Sequence, residues 1–145
     1  MAVQKLSVNT VEYDPLKGSS YIPLPKYLAD KKAIINPKNE DNQCFKWCLA
    51  RALNPVVEHS ERVTKELRKQ AEDLNWNDIT FPVPLDEIDK FERNNTYLSI
   101  NVFGDEDSMK RFVYPLQISK HERKDFVDLL LFSNDSTNHY CLVKT

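Results

Sequence analysis

Cys44-Phe45-Lys46-Trp47-Cys48-Leu49-Ala50-Arg51-Ala52-Leu53 sets Phe45, Cys48, Leu49 and Ala52 at helical spacing, and Asn54-Pro55 stops the run. The stretch predicts a buried helix with Cys44 in its first turn. Upstream, Asn36-Pro37-Lys38-Asn39-Glu40-Asp41-Asn42-Gln43 is a polar loop of turn formers that delivers the chain to that helix. A thiol in a first helical turn faces unpaired N–H groups and the positive end of the macrodipole, so the sequence predicts a lowered thiol pKa and a nucleophile. The competing reading is a small apolar side chain on a core-facing helix.

Working outward, Ser60 is placed to cap a second helix through about Leu74, with Val63, Leu67 and Leu74 on its inner face. Leu85, Ile88 and Phe91 predict a short third helix that ends at Asn94-Asn95. The period then changes from helix to strand. Leu98, Ile100 and Val102 alternate with Ser99, Asn101 and Phe103 ahead of a turn at Gly104-Asp105-Glu106-Asp107, and further strands are predicted over 112–118, 126–132 and 139–144. The last two flank six polar residues, Ser133 to Asn138, that suit a hairpin loop. Helices first and an antiparallel meander second predict an α+β domain over 31–145, preceded by an extended arm over 1–30 that carries Pro15, Pro23 and Pro25.

Composition narrows the function. The 145 residues fit one domain, and 20 Lys plus Arg against 22 Asp plus Glu leave a net charge of -2, with no basic surplus for a nucleic-acid backbone. Gly18 and Gly104 are the only glycines, where average usage of about 7% would give roughly ten, so a Walker-type cradle or a dinucleotide turn cannot be written. The longest apolar run, Leu129 to Phe132, is far short of the roughly 18 residues that cross a bilayer. Met1 to Lys5 begins no secretory segment, which leads to the expectation of an intracellular protein, cytoplasmic or nuclear, or a piece of a longer one. Three cysteines, Cys44, Cys48 and Cys141, are an odd count for a disulfide framework and are read as reduced.

Of the three histidines, His59 and His121 lie among charged neighbours and read as solvated, while His139 opens the last strand, where a sheet can aim it at a packed helix. A cysteine at a helix start and a histidine at a strand start on the other half of the domain are the ingredients of thiol catalysis. Two alternatives stand beside it. Cys44 and Cys48 share a helix face, and His139 and Cys141 share a strand face, so four soft ligands are available to zinc. The same fold can also serve as a catalytically inert interaction module.

Asn39-Glu40-Asp41-Asn42-Gln43-Cys44-Phe45 resembles the cysteine box of ubiquitin-specific proteases, and Asn138-His139-Tyr140 resembles their histidine box. Asp41, Cys44-Phe45 and His139-Tyr140 are also similar to the two signatures of OTU-type deubiquitinases. Both groups are papain-like cysteine peptidases, in which a nucleophile-bearing helix packs on a sheet that carries the histidine. The longer stretch from about Lys31 to Lys144 resembles a domain in open reading frames of invertebrate and fungal transposable elements, some of which look related to the deubiquitinases of herpesvirus large tegument proteins. The resemblance implies a papain-like fold and a cysteine peptidase that removes ubiquitin, or a ubiquitin-like modifier, from lysine. It implies no cofactor and no metal. The expected partners are ubiquitin or ubiquitin chains, with no nucleic acid and no membrane, and the chain is expected to be a monomer. Processing of a parent polyprotein is the related alternative.

Two departures matter. Ubiquitin-specific proteases carry a third catalytic residue well downstream of the histidine, but only Tyr140 to Thr145 follow His139. The herpesvirus-type enzymes place an aspartate two residues ahead of it, where this chain has Thr137. Asp135, with Asn134 as competitor, is near enough in the hairpin loop to fix the imidazole tautomer. The resemblance assigns oxyanion binding to Asn39 and the Cys44 N–H, with Asn42 as the rival amide, and Asp41 is placed to brace the loop through backbone N–H groups. Asp105, Glu106 and Asp107 are candidates to meet the basic tail of ubiquitin.

Overall fold

The computed structural model describes residues 21–24, 26, 34–105, 113–133 and 138–144. Among these residues three helices, α1 (Cys44–Leu53), α2 (Lys65–Ala71) and α3 (Ile88–Asn94), pack with five strands, and a 3-10 turn over Leu85–Glu87 runs into α3. The strands are β1 (Ile34–Ile35), β2 (Leu98–Asp105), β3 (Val113–Gln117), β4 (Asp125–Ser133) and β5 (Asn138–Val143). They form one sheet in the order β1-β5-β4-β2-β3. The protein is therefore a mixed α+β domain.

α1 spans the residues expected of it and is buried on almost every side, Cys44, Phe45, Trp47, Cys48, Leu49, Ala50 and Arg51 all lying inside. A helix buried on nearly every side is a central one. Phe45 is its deepest anchor, meeting Phe91, Tyr140 and Trp76 edge to face at ring-centroid distances of 5.4, 5.3 and 6.2 Å. Sheet register explains the core on this side. Val102, Leu129 and Leu142 are successive partners across β2, β4 and β5, and they fall on the same face as Tyr140 and Leu131.

Two expectations change. β2 pairs β4 in parallel and β3 lies outside β2, so the sheet is not an antiparallel meander. The chain returns from β3 to β4 through a loop held by short polar side chains. Ser119 N–H donates to Asn101 Oδ1 at 2.9 Å, Ser99 Oγ donates to His121 O at 2.8 Å, and Arg123 N–H donates to Ser99 Oγ at 2.9 Å. The second helix begins at Lys65, capped by Thr64, whose hydroxyl accepts from Leu67 N–H, and not at Ser60. Residues 55–62 are diverted because the buried Arg51 guanidinium donates to Ser60 O, Arg62 O and Asn54 O, each at 3.1 Å. Bonds to a buried charged group outweigh a marginal helical turn.

The strand β2 also runs through the expected turn, since Gly104 pairs with Tyr114 and Asp105 with Val113. A Cβ on Gly104 would lie 2.9 Å from the Tyr114 ring, so the bare backbone is what admits that ring.

Candidate active site

Tyr140 joins the two halves of the site. Its backbone N–H donates to Cys44 Sγ at 3.3 Å, and its carbonyl accepts from Cys48 Sγ at 3.4 Å. The Tyr140 ring packs on Phe45, and its hydroxyl donates to Val83 O at 2.9 Å. One turn of α1 is thus laid along the edge of β5. This edge is open to it because β1 pairs only with Leu142 and Val143.

Bonding to Tyr140 N brings residue 139 with it. The atoms N and preceding Cα are about 2.4 Å apart across a peptide, so the His139 Cα lies within about 5.7 Å of the Cys44 sulfur. Register puts the His139 side chain on the face shared with Phe132 and Cys141, opposite α1. The imidazole therefore has to reach the thiol around the strand edge rather than across the core. Both residues are fully buried. His59 and His121 are exposed, as their charged neighbours implied.

The thiol is not lowered in this state, which overturns the expectation from its helix position. Burial pushes Cys44 from its usual 9.0 up to about 12, against the opposing pull of the N–H groups of Tyr140, Phe45 and Cys44 itself, and the charge of Asp41 adds to the rise. Desolvation outweighs the helix terminus because a dipole end is worth far less than the loss of water around an anion. Cys48 and Cys141 are raised by burial as well.

The loop before α1 is held by Asp41. Its carboxylate accepts from Asn39 Nδ2 at 3.0 Å, Gln43 N–H at 2.9 Å and Trp47 Nε1 at 3.1 Å. Burial opposes ionisation, but the bonds from Asn39, Gln43 and Trp47, with the charge of Arg68, hold the carboxyl below its usual range. The expected bracing role is therefore visible. The structure gives Asn39 a different task from the one the resemblance implies. Its amide donates to the Asp41 carbonyl at 2.9 Å and to the Asp41 carboxylate, and both partners can only accept. Its protons are thus committed away from the sulfur. Asn42 is exposed and makes one side-chain bond, to Phe81 O at 3.1 Å. The N–H groups of Cys44 and Phe45, in an α1 first turn with no side-chain cap, are turned toward the sulfur together with that of Tyr140.

Asp135, Asn134, Glu106 and Asp107 lie outside the described residues. Asp105 closes β2 one residue beyond Gly104, which aligns with Leu131 and through it with Tyr140. That puts it at the His139 end of the sheet, two strands over, or about 10 Å. Among the described residues no three His, Cys, Asp or Glu side chains are arranged to hold a metal ion, so Cys44, Cys48, His139 and Cys141 do not converge as the zinc alternative requires. Also among the described residues, no helix is long and apolar enough to cross a membrane.

The chain matches no family model, no curated protein and no solved structure.

Sequence reading missed two residues here. Tyr21 packs edge-on against His139, ring centroids 6.1 Å apart, and Asn36 joins Cys141 to Ile22, its Oδ1 lying 3.5 Å from Cys141 Sγ and its Nδ2 donating to Ile22 O at 2.8 Å. Neither sits in a periodic segment, and their partners are more than a dozen residues away.

Proposed function

We propose that the domain is a papain-like cysteine peptidase that releases ubiquitin or a ubiquitin-like modifier from lysine. The observation that carries it is the bond from Tyr140 N–H to Cys44 Sγ, which brings a thiol at a helix start against the main chain next to His139, the second residue of β5. The peptide boxes around both residues add the substrate class.

His139 takes the Cys44 proton, and the thiolate attacks the carbonyl carbon at the modifier's C-terminus, forming a C–S bond. The N–H groups of Cys44 and Phe45 receive the charge that develops on oxygen, with Asn42 as the assisting side-chain amide in this scheme. The imidazolium gives its proton to the lysine amine as the C–N bond breaks. Water, deprotonated by His139, then attacks the thioester and frees the carboxylate and the thiol. Asp135 orients the imidazole in this scheme, and Asp105 with Glu106 and Asp107 meets the basic tail of the modifier. The domain acts in the cytoplasm or nucleus, as a monomer.

Incubation with ubiquitin carrying a C-terminal propargylamide tests this. The expected result is a covalent adduct mapped to Cys44 that is absent in Cys44→Ala and slowed at least about a hundredfold in His139→Ala. Labelling in Cys44→Ala equal to the parent overturns the mechanism. A second reading, an inert interaction module on the same fold, is favoured by the full burial of both residues. It predicts ubiquitin binding or none, and no adduct on any cysteine.

A further inference from the structure

The segment Tyr21–Leu24 is fastened along the loop that leads into α1. Tyr21 N–H donates to Asn39 O at 3.3 Å, and Ile22 O accepts from Asn36 Nδ2 at 2.8 Å, so this backbone is held through a donor and an acceptor in turn. Its side chains are sorted too. Ile22 is buried at 4% exposure, Leu24 packs with Leu130 and Cys141, and the Tyr21 ring lies edge-on to His139 with the Lys38 ammonium 6.0 Å from its centre. Alternate main-chain bonding with pockets for individual side chains is how a surface binds an extended peptide.

The occupant is lightly held. Among the described residues two main-chain bonds and one buried side chain attach it, and Tyr21 remains 36% exposed although its ring lies edge-on to the imidazole. A segment with so few buried contacts opens locally without global unfolding. Beneath it, His139 is fully buried and cannot meet a substrate in that condition.

We propose that Tyr21–Leu24 is a removable strap filling an extended-peptide groove beside His139, and that the same groove receives the C-terminal tail of the modifier once the strap leaves. The second half of this inference rests on the peptidase reading above. The strap half does not. The segment is thus an internal competitor of the substrate, and its release exposes the base, His139.

The test uses the full chain with Tyr21→Ala and, separately, Asn36→Ala, which break different contacts of the strap. Diethyl pyrocarbonate modification of His139, mapped by mass spectrometry across a low denaturant series, reads its cover directly. The expected result is modification faster by about tenfold or more in both variants, independent of denaturant below the unfolding transition, and slowed again by a synthetic peptide spanning residues 19–26. A rate equal to the parent's in both variants overturns the strap. So does an increase that follows global unfolding along the denaturant series. The ubiquitin propargylamide probe then separates the two halves. Faster adduct formation on Cys44 in the variants supports the tail assignment, while faster His139 modification with no adduct leaves the strap in place and overturns both the tail assignment and the peptidase reading.

Discussion

On one face of the sheet, Leu129, Leu131, Tyr140 and Leu142 lie under α1 and α3 in a continuous core with Phe45, Leu49, Ile88 and Phe91. On the other, Leu130 and Cys141 are buried with Ile34, Phe103, Phe132 and Val143 from the sheet itself, and among the described residues Leu24 is the one packed there from outside the sheet. One face is closed by helices; on the other, the described cover from outside the sheet is the segment Tyr21–Leu24. Cys44 sits on the helical side of the β5 edge and His139 begins on the other, so the candidate chemistry falls at the seam between a permanent cover and a removable one. The comparison teaches that burial fractions alone do not rank stability. His139 and Phe45 are almost equally buried, yet what covers them differs in kind.

The contrast can be broken by substitution. Phe45→Ala removes the ring shared by three aromatic partners and is expected to lower unfolding free energy by about 3–5 kcal/mol in a denaturant titration. Raising pH is expected to act next. A thiol whose pKa is raised in the folded state stabilises fully below pH 9.0 and loses that contribution as pH rises toward about 12, so the thermal midpoint should fall over this window and fall less steeply in Cys44→Ala. Arg51→Ala strips three carbonyls of their donor and is expected to cost about 2–3 kcal/mol, with faster proteolysis at 55–62 as the specific sign.

Two smaller effects sharpen the comparison. Asp41→Asn is expected to cost about 1 kcal/mol at neutral pH by weakening the bonds from Gln43, Trp47 and Asn39. Its carboxyl is held below the usual 3.8, so in the parent this contribution is present above that value and disappears as pH falls through the lower folded pKa; the acid limb of the variant should be flatter. Leu24→Ala on the lightly covered face is expected to cost no more than about 1 kcal/mol. A loss as large as that of Phe45→Ala would show that the two covers are equivalent.

Much of this architecture was legible in the chain. α1 was readable from the spacing of Phe45, Cys48, Leu49 and Ala52 with its Asn54-Pro55 stop, and the hairpin between β4 and β5 from two apolar runs around a polar loop. The parallel pairing of β2 with β4 was not, because it depends on Ser99, Asn101 and Arg123 anchoring a loop, and single polar residues carry no period. The second helix was misplaced for a related reason: Arg51 captures carbonyls nine and eleven residues downstream, a tertiary bond that no local propensity records. At the site, Cys44 at a helix start and His139 near a strand start were legible as residue types in those elements. The raised thiol and the commitment of Asn39 to Asp41 were not, since both follow from how completely the surroundings exclude water and fill donors.

The brevity of β1 has a consequence of its own. Two residues zip against Leu142 and Val143 and then the chain turns away, leaving a notch in the sheet rim where sulfur atoms, instead of a neighbouring strand, satisfy Tyr140. Had the ladder continued by one more pair of rungs, the rim would be sealed by main chain, and no imidazole could swing past it.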